Sequence, residues 1–503
     1  MLWWLACAYS ALVLYGSYHP DELAQITGFV LLKAGVQARG TMPWELAAEI
    51  RPWLQPAMYY ALLEPLIARF GYHHLVMERL MLLTQLALLS AVLPLFTRAF
   101  LPTDPEIRRA PRFRWGALAV GALWFAPGML VRHSSEAFAT ALLAGSLGAW
   151  AKVEPDSPDG SARRWPLLAG ALAALAFFGR FQVGVFLAGF VVTRSLAARR
   201  DPRVRRALGL FVASAVCVAL VCVAIDAWGY GELVLTPWRY FRENLVSGHA
   251  GRFGRSPWAF YLGVGAALTL SPLLWIWLGR ASVLTWRTPL YRAITIGGAA
   301  FLLVHMAIGH KEARFLVPLL APGAALLLAM LAEDARAPRR WAWVTAVPYA
   351  RAVALANVAV LIGYSLLALV DDRSRVELAL WRLPAKTTVL GGVDLFSRFD
   401  RLFSDAGGVH RAYALDFKKP PGLDYWYVTP PDLAAACAEQ PDALALLTGQ
   451  EADAWDEASK AAPVAGFPPS WARVDAAWYR RIWRYRLVPC SGLAGLPLAR
   501  KPR

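Results

Sequence analysis

The feature that most constrains this chain is a recurring one. Apolar runs of about 17–22 residues, separated by short charged loops, follow one another from the first residues to about position 370. At about 1.5 Å of rise per residue, most of these runs can cross a bilayer core as a helix. Eleven lie near residues 2–18, 75–97, 115–131, 134–151, 166–179, 181–197, 207–226, 259–278, 293–309, 314–333 and 350–370. Those at 166–179 and 181–197 are short and are interrupted by Gly179-Arg180. Of the 503 residues 57% are hydrophobic and only 17% are charged, too few charges to clothe a soluble protein of this length. The pattern predicts an all-α polytopic membrane protein with about 11 transmembrane helices.

The formal charge of +17 sits mainly in loops between apolar runs, so it reads as a topology signal and not as a nucleic-acid footprint. Every second loop is basic. The series runs Arg98, Arg108, Arg109, Arg112 and Arg114; Lys152, Arg163 and Arg164; Arg194 to Arg206; Arg280, Arg287 and Arg292; then Arg336, Arg339, Arg340 and Arg351. With those loops cytoplasmic, the loops at 17–74 and 227–258 and the tail from 371 to 503 lie outside the cytoplasm. The first run lacks a basic n-region and is taken as a retained span. The tail changes to a soluble α/β pattern, with strand-like runs at Thr388–Val393, Tyr425–Thr429 and Arg481–Val488. Residues 1–370 are therefore expected to form the membrane domain and 371–503 a small extracytoplasmic α/β domain. Cys7, Cys217 and Cys222 fall in apolar spans, while Cys437 and Cys490 lie in the tail, where a disulfide is allowed. No His/Cys spacing resembles a structural zinc site.

The chemistry is concentrated in the outer loops. Tyr18-His19-Pro20-Asp21-Glu22 puts two adjacent carboxylates directly after the first span, where Pro20 ends the helix. Read alone, the pair fits either a solvated helix end or a general base facing a cavity. Behind it come Gln25, Trp44, Glu45, Arg51, Trp53 and Pro56. Aromatic faces beside carboxylates suit sugar recognition, although an interfacial Trp belt would look the same. The second outer loop carries Tyr240, Arg242 and Asn244, with His249, Arg252 and Arg255 after them. Three basic groups there could meet a lipid phosphate or anionic headgroups. His310-Lys311-Glu312-Ala313-Arg314-Phe315 packs four ionisable groups between two apolar runs. Lysine and arginine can clamp a phosphate as point charge and fork, and an ion-pair knot is the plainer reading. Arg132 and Arg180 stand in similar short outer turns.

His19-Pro20-Asp21-Glu22 with Gln25, Trp44-Glu45 and Arg51 resembles the first luminal loop of glycosyltransferase family 22. That family comprises the dolichyl-phosphate-mannose-dependent α-mannosyltransferases. Tyr230–Pro237, Asn244, and Pro257-Trp258 with Tyr261 are similar to a later luminal loop of the family, and His310-Lys311-Glu312 with Arg314-Phe315 to its His-Lys-Glu-x-Arg-Phe motif. The match runs over roughly residues 15–322, with departures at Gly28 and Pro52 that bear on the acceptor.

The resemblance implies a GT-C fold with its active site at the extracytoplasmic interface. It implies inverting transfer of mannose from a polyprenyl-phosphate-sugar donor to a glycan or glycolipid acceptor. It assigns Asp21 and Glu22 to catalysis, with Asp21 as the base, and Lys311, Arg314, Arg132, Arg180 and Arg242 to the donor phosphate. His19, Gln25, Trp44, Glu45, Arg51, Tyr240, Asn244, His310 and Glu312 are the expected substrate-binding set. No cofactor is required, and a divalent cation between phosphate and carboxylates is compatible with the chemistry. The Ala/Arg-rich composition looks bacterial, which predicts a cytoplasmic-membrane enzyme whose partners are the two substrates and membrane lipids, with no nucleic acid. Other readings are a GT-C transferase with a protein or lipid acceptor, and a lipid-linked sugar flippase or polymer-assembly subunit. The absence of an obvious internal repeat speaks against the flippase.

Overall fold

The computed structural model describes residues 2–13, 21–36, 39, 42–70, 74–153, 163–248, 254–336 and 347–368, and in the tail 388–391, 426–428, 437–439, 441–442, 444–448, 465–466 and 485–493. The body is helical. Its main helices are α1 (Leu2–Val13), α2 (Leu54–Phe70), α3 (His74–Phe100), α4 (Pro111–Gly121), α5 (Ser135–Trp150), α6 (Arg164–Gly179) and α7 (Val183–Ala198). They continue as α8 (Pro202–Tyr230), α9 (Phe260–Leu268), α10 (Leu274–Thr285), α11 (Pro289–Ala307), α12 (Leu320–Arg336) and α13 (Val347–Ala368). Among the described residues, four helical stretches are long and apolar enough to cross a membrane: Val76–Phe100, Pro202–Tyr230, Pro289–Ala307 and Ala313–Arg336. The helix starts follow local chemistry. Proline occupies a first-turn position of α4, α8 and α11, where its missing N–H is no loss. Ser134 and Asp201 cap α5 and α8 with their side-chain oxygens.

Every predicted apolar run contains helix, but two are not single spans. The run at 115–131 is broken between α4 and a short helix Ala126–Leu130, and the run at 259–278 between α9 and α10. A broken helix at membrane depth leaves backbone groups that must find partners. Asn357 of α13, fully buried, supplies them for both breaks. Its Oδ1 accepts the Trp124 N–H at 3.1 Å and its Nδ2 donates to the Thr269 carbonyl at 3.0 Å. Tyr349 serves the second break as well, its hydroxyl lying 3.2 Å from Ser271 Oγ and accepting the Leu273 N–H at 3.4 Å. Another difference lies in the first outer loop, where Leu54–Phe70 forms a helix of 17 residues. Its Pro65 and polar positions keep it from scoring as an apolar run.

The core is dense because small residues let helices touch. A Cβ added at Gly170 would lie 2.1 Å from the Phe211 carbonyl oxygen, and one at Gly148 would meet the Leu95 backbone at 2.6 Å. Such small-residue seams, with serine hydrogen bonds across them, substitute for a hydrophobic drive that lipid does not supply. Ser146 Oγ donates to the Ala169 carbonyl at 2.8 Å, joining α5 to α6.

In the tail, β1 (Thr388–Gly391), β2 (Trp426–Val428), β3 (Leu444–Thr448), β4 (Ala465–Gly466) and β5 (Tyr485–Pro489) form one sheet in the order β2-β1-β3-β5-β4. The β1 pairings with β2 and β3 are parallel and those of β5 with β3 and β4 antiparallel. Cys437 and Cys490 are joined in a disulfide. The three predicted strand regions each hold a strand, while β3 and β4 lacked a strong turn-bounded signal.

Candidate active site

Asp21 leads directly into a π-helical stretch, Glu22–Thr27, followed by α-helix over Gly28–Lys33. The wider π turn carries Glu22, Gln25, Ile26 and Thr27 inward, all of them buried. The side chain of Asp21 stays 26% exposed, whereas that of Glu22 is 2% exposed. The two adjacent carboxylates thus occupy different environments.

Arg314 organises the first cluster. Its Nη2 donates to Asp21 Oδ2 at 2.6 Å and its Nε to Glu312 Oε2 at 2.5 Å, and its Nη1 lies 3.3 Å from Glu136 Oε1. Arg180 approaches the same Glu136 oxygen at 3.0 Å and donates to Ser135 Oγ at 2.8 Å. The Phe315 ring underlies both guanidinium groups, at 4.9 Å from Arg180 and 5.5 Å from Arg314. His310 Nε2 lies 2.8 Å from the other Glu312 oxygen. Three carboxylates and two guanidiniums therefore form one contiguous cluster, drawn from segments separated by almost 300 residues.

A second cluster is fully enclosed. Arg132 donates from Nε at 2.9 Å and Nη2 at 2.5 Å to Glu22 Oε2, and Nη2 lies 3.7 Å from Glu78 Oε1 of α3. A third joins Gln25, which donates to Glu45 Oε1 at 2.9 Å, with Arg51, whose Nη2 reaches the same oxygen at 3.4 Å. Burial pushes the Glu45 carboxyl above the ordinary range; the charge of Arg51 opposes the shift and that of Asp21 reinforces it.

The loops at 17–74 and 227–258 are fastened to each other. The Arg51 carbonyl accepts from the Tyr230 hydroxyl at 2.8 Å, and the Trp53 N–H donates to Asp226 Oδ1 at 2.7 Å. Thr236 caps the remaining Asp226 oxygen, and Lys33 donates to the Trp228 carbonyl at 2.7 Å while covering its ring. Between these elements opens a cleft of about 420 Å³ of empty space, part of it open to solvent. Gln25, Arg51, Gln55, Ser135, Arg180, Phe181 and Tyr240 line it.

Not every expected residue joins these clusters. Lys311 is buried, and its ammonium donates to the carbonyls of Ile308 at 2.6 Å and Ser256 at 2.9 Å, which ties the turn to the second outer loop. Burial lowers it from the ordinary lysine value. Arg242 is exposed and paired with its neighbour Glu243 at 3.1 Å, and Asn244 donates to the Tyr240 carbonyl at 3.0 Å. Trp44 is half-buried in the short turn Trp44–Ala47, and His19 lies outside the described residues. Glu136, Glu78 and Gln55 were not among the expected site residues. An ionisable group inside an apolar run was the signal for the first two. Gln55 gave none.

The profile of the Alg9-like mannosyltransferase family matches residues 1–378. GPI mannosyltransferase 3 of Drosophila melanogaster is 31% identical over 113 residues, 22% of this chain and 20% of that protein. GPI mannosyltransferase 3 of Trypanosoma brucei brucei is 30% identical over 171 residues, 31% of this chain and 30% of that protein. The matched segments thus span less than a third of either relative. Among solved structures, ArnT from Cupriavidus metallidurans bound to undecaprenyl phosphate superimposes with a TM-score of 0.56 at 14% identity, over 99% of this chain and 97% of that one. Its apo state gives 0.51. This likeness establishes the GT-C fold, and the profile match over three quarters of the sequence establishes descent: the chain belongs to the Alg9-like mannosyltransferase family.

Proposed function

We propose that this integral membrane protein is an inverting mannosyltransferase that takes its sugar from a polyprenyl-phosphate donor and passes it to a glycan or glycolipid acceptor. One observation carries the reading. A partly exposed carboxylate, Asp21, stands 2.6 Å from a guanidinium that a second arginine, Arg180, joins through the shared Glu136. Base and phosphate-binding cations thus occupy one place, as glycosyl transfer from a lipid phosphate requires.

The acceptor hydroxyl attacks C1 of the donor sugar as the C1–O bond to phosphate breaks. Asp21 takes the hydroxyl proton, and Arg314 and Arg180 meet the charge gathering on the phosphate. Donor phosphate competes with Asp21 for Arg314, so binding loosens the ion pair and makes the carboxylate available as a base. Glu22, buried against Arg132, sets the position of the π turn that carries Asp21. Lys311 anchors the turn that presents Arg314. Family membership supports mannose, and the undecaprenyl phosphate of the ArnT complex supports a polyprenyl carrier.

The helix ends support a sidedness. The site gathers at the start of α5, the end of α6 and the segment before α12, while Lys152, Arg163, Arg199, Arg200 and Arg336 mark the opposite ends. The positive-inside rule then favours an extracytoplasmic site, and the Ala/Arg-rich composition favours a bacterial cytoplasmic membrane. The test is transfer by purified protein in nanodiscs from radiolabelled polyprenyl-phosphate mannose to a pooled glycolipid extract. Label should move to the acceptor with release of one polyprenyl phosphate per mannose. Label that crosses the bilayer of a vesicle without leaving its carrier would overturn the reading in favour of a flippase.

A further inference from the structure

The cleft that Arg180 borders is also lined by a polar residue that the mechanism does not use, Gln55. Gln55, near the start of α2, is 2% exposed. Its Nε2 donates to the His133 carbonyl at 2.9 Å and approaches the Ser134 carbonyl at 3.5 Å. It also reaches the Tyr59 hydroxyl at 3.5 Å. With two main-chain carbonyls facing it, the amide cannot be flipped without placing oxygen against oxygen. That pins the nitrogen and leaves Oε1 as an acceptor of fixed position, buried and without a protein donor. Two further buried atoms on residues lining this cleft, the Nε of Arg51 and the Nε of Arg180, are donors without acceptors. Such groups are costly when left unmatched, and three on residues that line one cleft point to a ligand that completes them.

The complement is specific. Gln55 needs a donor, and the two guanidinium nitrogens need acceptors. A hydroxyl is both at once, and a sugar ring offers several at neighbouring carbons; the donor phosphate that meets Arg180 would leave Gln55 without a donor, which a hydroxyl of the adjoining sugar supplies. Phe181 and Tyr240, 5.5 Å apart between ring centroids, supply an apolar flank on the same cleft. We infer that Gln55 is a specificity-determining residue that accepts a hydrogen bond from one hydroxyl of a bound sugar. The inference rests on the proposed function and adds to it: it names how the sugar is recognised, whether that sugar belongs to the donor or to the acceptor.

The experiment reads binding, so it stands apart from turnover. Methyl α-mannoside and its four monodeoxy analogues are titrated by saturation-transfer NMR onto the wild-type protein in nanodiscs, then onto Gln55→Leu and Gln55→Met. One monodeoxy analogue should bind wild type roughly tenfold more weakly than the parent sugar, and that gap should close to within about twofold in either variant. Two variants guard against one failing to fold, and the wild-type series is informative by itself. Equal binding of all four analogues to wild type, a gap that survives in a folded variant, or no mannoside binding at all would overturn the inference. Repeating the titration with saturating polyprenyl-phosphate mannose separates the sources. Displacement assigns the hydroxyl to the donor sugar, and undiminished binding to the acceptor. Loss of transfer in the assay of the previous subsection with an intact deoxy pattern would sink the transferase reading and leave the sugar site standing.

Discussion

At the scale of single residues, the adjacent carboxylates Asp21 and Glu22 look interchangeable in the sequence and are separated by their surroundings. Asp21 keeps a quarter of its side chain open beside Arg314, while Glu22 is shut in with Arg132 and Glu78. Glu22→Gln should therefore act first on stability, costing up to about 3 kcal/mol by thermal unfolding in detergent, because Arg132 loses a buried partner. A full loss of transfer with unchanged stability would contradict that division. Glu45 gives a pH signature. Its folded value is raised above the ordinary 4.5 by burial. The stability it contributes is thus complete below about pH 4.5 and is lost as the pH rises through the folded value. Glu45→Gln removes this slope, so the melting temperature of wild type relative to the variant should fall as pH rises from 4.5 to 8, and a flat difference would refute it. The sequence exposed Asp21, Glu22 and Arg314 because motifs mark them. It could not reveal that Lys311 spends its hydrogen bonds on main-chain carbonyls, nor that Glu136 bridges Arg180 and Arg314, since both depend on contacts between distant loops.

Among the elements, the apolar runs were legible because lipid demands long uninterrupted hydrophobicity. The breaks were not, because the group that makes them tolerable lies far away. Asn357 serves the backbone of Trp124 and Thr269 at once, 233 and 88 residues distant in sequence. Asn357→Leu keeps the volume and removes both bonds. It should lower stability by about 2–3 kcal/mol in denaturant unfolding, as two buried backbone groups lose partners. A change within about 0.5 kcal/mol would show that the breaks are satisfied otherwise. Close helix contacts make a parallel case. Gly170 lies against the Phe211 carbonyl with no room for a Cβ. Gly170→Ala should separate α6 from α8 and cost about 1–3 kcal/mol, measured in the same way. A tolerated alanine would mean that the seam is looser than described.

For the whole molecule, helix ends from along the chain deliver charged residues to one side, and the two outer loops are bolted together over them through Asp226, Tyr230 and Lys33. That architecture explains how a largely apolar protein gathers three carboxylates and two guanidiniums in one cluster. The central claim is that Asp21 is the base of a sugar transfer from a lipid phosphate. It is tested most directly by assaying wild type and Asp21→Asn side by side in nanodiscs with radiolabelled polyprenyl-phosphate mannose and pooled glycolipid acceptors. Wild type should transfer the sugar, Asp21→Asn should lose about 10²-fold or more of that activity, and the two melting temperatures should lie close to one another. Equal transfer by a folded Asp21→Asn protein would contradict it.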